Sequence, residues 1–243
     1  MPRKNAIAGS GGQESQARQR LKDAARRLFA LRGFGVTTRE IVAAAGQRNL
    51  TAINYHFGSK DGLIDELIAD LVQRLEVDRN AKLDRIEAAG GPDSVRCVVE
   101  VLASRVEPPP GEGGDGERSD FSRFLNLVLL NHRDKYLAVV GRDSDSGTHR
   151  CLRHLRRLLA HLPEAVLRER LYLVMLYLLA ALSAQEAAAE NPRPWRNLWT
   201  RPNGSSTVID GAVALLEHTP SADTLRAGGV RLAGKAVRHG GRG

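Results

Sequence analysis

Apolar residues along this chain recur at helical rather than strand spacing. From Gln16, the positions Ala17, Leu21, Ala24, Ala25, Leu28 and Phe29 form one stripe at i, i+3, i+4 and i+7. Gly33 and Gly35 stop it. Thr37, with Glu40 three residues on, spells a capping box for a short helix that carries Ile41, Val42 and Ala45 and ends at Gly46. A second short helix is predicted from Leu50 to Phe57. After Gly58, Ser59 is placed to cap a long helix reaching about Glu87, with Leu63, Ile64, Leu67, Ile68, Leu71, Val72 and Leu75 on its buried side. Nowhere do apolar and polar residues alternate over five or more positions between turn signals, so the predicted fold class is all-α.

Further along, Gly90-Gly91-Pro92 ends the long helix, and Asp93 can start another that runs to about Val106. Residues 107–119, EPPPGEGGDGERS, read as a loop. Its Gly111, Gly113 and Gly116 match G-x-G-x-x-G in form only, because no strand precedes them and the neighbouring acids would repel a pyrophosphate. Helices are predicted over 120–140, 146–161 and 163–190, separated by Gly141 and Pro163. A loop with Pro192, Pro194 and Pro202 leads to a last helix near 205–218. The Gly-rich, basic tail 220–243 and the basic arm 1–15 are predicted to be disordered. The division that follows is an N-terminal unit of short helices over 16–60 and a larger helical unit over 61–219.

Composition narrows the class. The chain has 243 residues, of which 42% are hydrophobic and 5% aromatic, which suits a helical core. Two cysteines, Cys97 and Cys151, are too few for a disulfide framework or a cysteine-based zinc site. The N-terminus lacks the apolar core of a secretory signal, and the longest apolar stretch, 171–184, is shorter than the roughly 20 residues of a membrane span. A cytoplasmic address with no membrane partner is the expectation. The net charge of +8 is uneven: residues 1–60 hold eleven Lys/Arg against Glu14, Asp23 and Glu40, and the rest is neutral. Such asymmetry points to a polyanion-binding module joined to a neutral body.

The segment TTREIVAAAGQRNLTAINYHFGSK, residues 37–60, carries the chemistry. Two short helices around a glycine turn, flanked by longer ones, make a helix-turn-helix. On a helical wheel Leu50, Ile53 and Phe57 form the buried face, opposite Arg48, Thr51, Ala52 and Tyr55, with Asn54 and His56 at the borders. Thr and Ala can touch thymine methyls, Asn and Tyr can bond base edges or phosphates, and Arg can take guanine or a phosphate. A plain connecting helix in an α-bundle, within a ligand- or partner-binding protein, is the alternative.

The order of helix, TTREIVAAAG, short helix ending in YHF, GSK and long amphipathic helix resembles the TetR family of bacterial transcriptional regulators over about residues 16–72. The resemblance implies an all-α homodimer that binds a duplex DNA operator, palindromic to match the dimer, and most commonly a repressor released by a small-molecule effector. By position, Thr37, Thr38 and Arg39 match the phosphate-contacting start of the second helix. Residues Leu50 to His56 match the recognition helix, and Lys60 matches the lysine that opens the fourth helix. One departure stands out. Nine residues, Gln47 to Tyr55, separate the turn glycine from His56, one more than the family pattern, and Asn54 holds the usual tyrosine position. Which of Gln47, Arg48 and Asn49 reaches DNA is therefore open.

The resemblance also implies an effector cavity among the helices of 93–190, for which Phe121, Phe124, Leu125, Val128, Leu129, His132, Tyr172, Met175 and Leu179 are the candidate wall. The last two predicted helices carry more apolar residues than one buried stripe needs: Leu167, Leu171, Val174, Leu178 and Leu182, then Val208, Ile209, Val213, Leu215 and Leu216. Pairing across a two-fold axis would use the excess. No catalytic, cofactor or metal motif is present in the sequence.

Overall fold

The computed structural model describes residues 8–104, 120–191, 193, 199 and 204–227. These form helices and no strand: α1 (Ala8–Arg32), α2 (Thr38–Ala44), α3 (Ala52–Phe57), α4 (Lys60–Ala88), α5 (Val95–Leu102), α6 (Phe121–Asn131), α7 (Arg133–Val140), α8 (Gly147–Leu158), α9 (Glu164–Glu190), α10 (Gly204–Glu217) and α11 (Ala222–Ala227). The fold is all-α, as the spacing predicts.

Local chemistry sets most boundaries. Thr37 accepts from the Glu40 amide while the Glu40 carboxylate accepts from the Thr37 amide at 2.8 Å, which completes the capping box that starts α2. Gly46, at φ +66°, turns the chain out of α2. Ser59 caps α4 through the Gly62 amide at 2.9 Å. Gly62 is required there, because a Cβ would collide with the Phe57 carbonyl as α3 crosses onto α4.

Several boundaries depart from expectation. α1 begins at Ala8, inside the arm predicted to be disordered. α5 is capped by Ser94, not Asp93, and is shorter than predicted. The predicted helix 120–140 is two helices, broken at His132 (φ −135°, ψ 36°). Part of the predicted tail, Ala222–Ala227, is helical. The loop 107–119 and residues 228–243 lie outside the described residues.

Two cores hold the helices, and α4 runs through both. The first joins α1, α2, α3 and the first half of α4 to α6 and α7, centred on Phe29, Ile41, Ile53, Leu63, Phe124 and Val128. The second joins Leu83 near the end of α4 to α5, α8, α9 and α10. α4 has 29 residues, so it is about 44 Å long and carries one frame across both. By length and composition α9 is apolar enough to cross a membrane. Its Leu167, Leu171, Val174 and Leu178 are buried in the second core.

Candidate nucleic-acid interface

The segment expected to read DNA is built by the turn between α2 and α3. The Gln47 amide donates to the Val42 carbonyl at 3.0 Å, which closes the end of α2. Asn49 Oδ1 then accepts from the Thr51 amide at 3.0 Å and from its hydroxyl at 2.7 Å. This Asx turn absorbs the extra residue, and α3 begins only at Ala52.

That later start changes which residues face outward. Leu50, predicted to be buried, is 60% exposed, because it lies before the helix and out of phase with Ile53 and Phe57. Ala52, predicted to face outward, is buried beside Ile53. Arg48, Asn49, Thr51 and Asn54 are exposed, Gln47 and His56 are half-buried, and Tyr55 is 72% exposed. Thr37 and Arg39 are exposed at the start of α2, and Thr38 is half-buried. The Tyr55 hydroxyl donates to Glu14 on α1 at 2.8 Å, and that carboxylate holds the phenol above its ordinary pKa. Nothing in the local sequence pairs residues 14 and 55; only the crossing of α1 over α3 does.

Lys60 opens α4, as the resemblance implies. Its Nζ donates to the Phe34 carbonyl at 2.6 Å, and it stands 5.7 Å from the Phe29 ring centroid. Tertiary pairing also sorts the cations of the first quarter of the chain. Arg18 pairs with Glu66, Lys22 with Asp70, Arg26 with Asp120 at 3.4 Å and Arg32 with Glu40 at 2.6 Å. Among the described residues Arg20, Arg27, Arg39 and Arg48 make no ion pair, and all four are exposed. Arg39 and Arg48 belong to the helix-turn-helix face.

A second site lies in the other half of the molecule. α7, α8 and α9 enclose a cleft of about 250 Å³. Of the candidate wall residues, Leu129, Tyr172, Met175 and Leu179 line it. Phe121, Phe124, Leu125, Val128 and His132 do not. The Phe124 ring stacks on Phe29 at 6.5 Å, His132 meets Phe34 edge-on at 4.4 Å, and the other three belong to the first core. α6 turns Phe121, Phe124, Leu125 and Val128 into the core it shares with α1 to α4, which its apolar stripe alone does not reveal. Tyr136, Leu137, Val140 and Leu152 line the cleft and were not predicted.

The residues predicted for a two-fold interface are likewise re-sorted. Leu167, Leu171, Val174, Leu178, Val208 and Leu216 are buried within one chain, whereas Leu215 is 39% exposed, as is Leu173, outside the predicted set, at 53%. Leu182, Ile209 and Val213 are half-buried.

Comparison with known proteins agrees with this geometry. Residues 21–67 match the family model for bacterial regulatory proteins of the tetR family, which spans the end of α1 through the first turns of α4. Over 93 residues the chain is 40% identical to the HTH-type transcriptional dual regulator CecR of Shigella flexneri. That stretch is 37% of this chain and 40% of that protein, so the match spans less than half the length of the curated relative. The similarity to bacterial regulatory proteins of the tetR family is therefore carried by residues 21–67, the helix-turn-helix and the helices that flank it.

Proposed function

We propose that the chain is a sequence-specific duplex-DNA-binding transcriptional regulator that works in the cytoplasm as a homodimer and is switched by a small-molecule effector. The observation that carries the reading is the outer face of the turn and α3. Arg48, Asn49, Leu50, Thr51, Asn54 and Tyr55 are all exposed on a segment whose other side is pinned by Ile53 and Phe57. Leu50 supplies an apolar contact suited to a thymine methyl, and Asn54 and Tyr55 supply hydrogen bonds to base edges or phosphates. Thr37, Arg39 and Arg48 supply affinity that depends on salt.

A dimer brings two such faces to successive major grooves of a palindromic operator. The exposed Leu173 of α9 and Leu215 of α10 are the apolar residues left for the two-fold contact. Effector action fits the connection between the cleft and α6. Arg133 and Tyr136 of α7 line the cleft, while His132, one residue earlier, packs on Phe34 of the DNA-binding unit. A ligand with different affinity for the two placements of α7 would shift the DNA-competent population. In that scheme the chain represses in its unliganded state.

Selection of bound sequences from a random duplex pool, followed by titration at several salt concentrations, tests the reading. A recovered palindrome, bound more tightly than random duplex and with a steep salt dependence, is the expected result. Absence of any enriched sequence, with no salt-dependent binding, refutes it in favour of a helical ligand-binding protein that does not bind DNA.

A further inference from the structure

The cleft between α7, α8 and α9 has an apolar floor, including Val140, Leu171, Met175 and Leu179. Its rim is cationic. Arg133 comes from the start of α7, Arg156 from α8 and Arg168 from α9, and no Asp or Glu is among the described residues that line it. Arg133 lies 4.3 Å from the Tyr172 ring centroid and donates to its hydroxyl at 2.8 Å. Arg156 has only Glu164, 3.8 Å away and 68% exposed. Arg168 makes no ion pair or hydrogen bond among the described residues.

Several other arginines of this half are paired with carboxylates. Arg150 pairs with Asp84 and Glu87 at 2.8 Å, Arg123 with Glu190 at 2.6 Å, Arg153 with Asp145 at 3.1 Å and Arg96 with Asp210. Arg157 and Arg170, away from the cleft, instead donate to the main-chain carbonyls of Pro92 and Leu216, so the cleft is distinguished by bringing Arg133 and Arg168, neither with a carboxylate partner, to one apolar hollow. The weakly paired Arg156 lines the same hollow, and an anion seated there offsets the mutual repulsion of these cations.

Resting on the effector reading above, we propose that the cleft binds an amphiphilic organic anion, with one carboxylate at the rim arginines and an aromatic or short aliphatic body on the floor. A dry cavity of roughly 150 Å³ accepts benzene, so this cleft suits a ring with a short chain, about ten non-hydrogen atoms in all. The planar guanidinium fork matches a carboxylate in two hydrogen bonds, a geometry that a neutral amide forms weakly and an amine not at all.

Calorimetric titration of the full chain with phenylbutyrate, phenylbutyramide and phenylbutylamine holds shape nearly constant while charge changes sign. The acid is expected to bind about tenfold tighter than the amide, with the amine weakest. The double variant Arg133→Gln/Arg168→Gln should bring the acid to the level of the amide and leave the amide unchanged, with helical content preserved by circular dichroism. Equal binding of all three, no binding by any, or an acid preference that survives both substitutions overturns the proposal. The same compounds titrated against the complex with the selected duplex score the effector reading separately. Arginine-dependent binding of the acid without any change in duplex affinity supports the ligand class and refutes the effector role. Release by amide and amine as strong as by the acid supports the effector role and overturns the ligand class.

Discussion

Lys60 Nζ donates to the main-chain carbonyl of Phe34 at 2.6 Å, which joins the first turn of α4 to the loop between α1 and α2. A lysine in the first turn of a helix gains nothing from the helix dipole. Here a carbonyl in the Gly33–Gly35 turn supplies the missing partner, and the Phe29 ring below adds a cation–π contact. The side chain acts as a strut between the two long helices that frame the recognition segment.

Lys60→Met should lower stability by about 1–2 kcal/mol, the worth of a partly buried charged hydrogen bond. Thermal denaturation reads the loss directly. Binding to cognate and random duplex should fall by the same factor, with the salt slope unchanged. A salt slope reduced by about one, with normal stability, would instead make Lys60 a phosphate ligand.

Tyr55 and Glu14 are coupled across α1 and α3, with the phenol donating to the carboxylate at 2.8 Å. On the proposed DNA-binding face, an exposed carboxylate beside Tyr55 repels the phosphate backbone. Glu14→Gln should therefore raise affinity for any duplex several-fold at low salt, with the gain shrinking as salt rises. Tyr55→Ala should cost about 1–3 kcal/mol at the cognate site and little on random duplex. Anisotropy titrations on both duplexes separate the two effects.

The capping box gives the DNA-binding unit an acid-dependent component. Hydrogen bonds from the Thr37 amide and hydroxyl, together with Arg32, hold the Glu40 carboxyl at about 2 instead of 4.5. A depressed folded-state pKa stabilises the fold above the unfolded value, and the contribution fades as pH falls from 4.5 toward 2. Glu40→Gln should be less stable than the parent at neutral pH. The difference in melting temperature should shrink steadily through that acid window, which a pair of pH-dependent denaturation series measures.

Leu173 and Leu215 are the exposed leucines of α9 and α10. If these helices pair across a two-fold axis, Leu173→Asp with Leu215→Asp should give monomers in sedimentation, with helical content retained. Operator affinity should drop steeply, since each monomer then holds one half-site alone. A double variant that stays dimeric places the two-fold contact elsewhere.

Much of the helix order was legible because its signals are local. The Thr37–Glu40 box, Ser59 and the stripe from Leu63 to Leu75 each specify their helix through neighbours within a few residues. The signals failed where a boundary depended on side-chain competition. Asn49 captured Thr51 and delayed α3, which moved Leu50 out of the core and Ala52 into it. The break at His132 was equally hidden, because the residues on both sides of it continue an acceptable helical pattern. The sixth helix shows the same limit. Periodicity identified Phe124 and Val128 as an inward stripe, yet it held no information on whether that stripe faced a ligand or Phe29.

By itself, the sequence determined the all-α class, the helix-turn-helix, the Thr37 and Ser59 caps and the concentration of positive charge in the first quarter of the chain. Those properties follow from residue type and from spacing shorter than one helix. The tertiary structure alone decided which charges remain free. Glu66, Asp70 and Asp120, distant in sequence, neutralise Arg18, Lys22 and Arg26, while Arg39 and Arg48 keep their charge toward solvent. It likewise left Arg168 without an acid at the mouth of the cleft. Ion pairing acts through space over a few ångströms, so the partner of a given arginine is settled only when helices far apart in the chain are packed side by side.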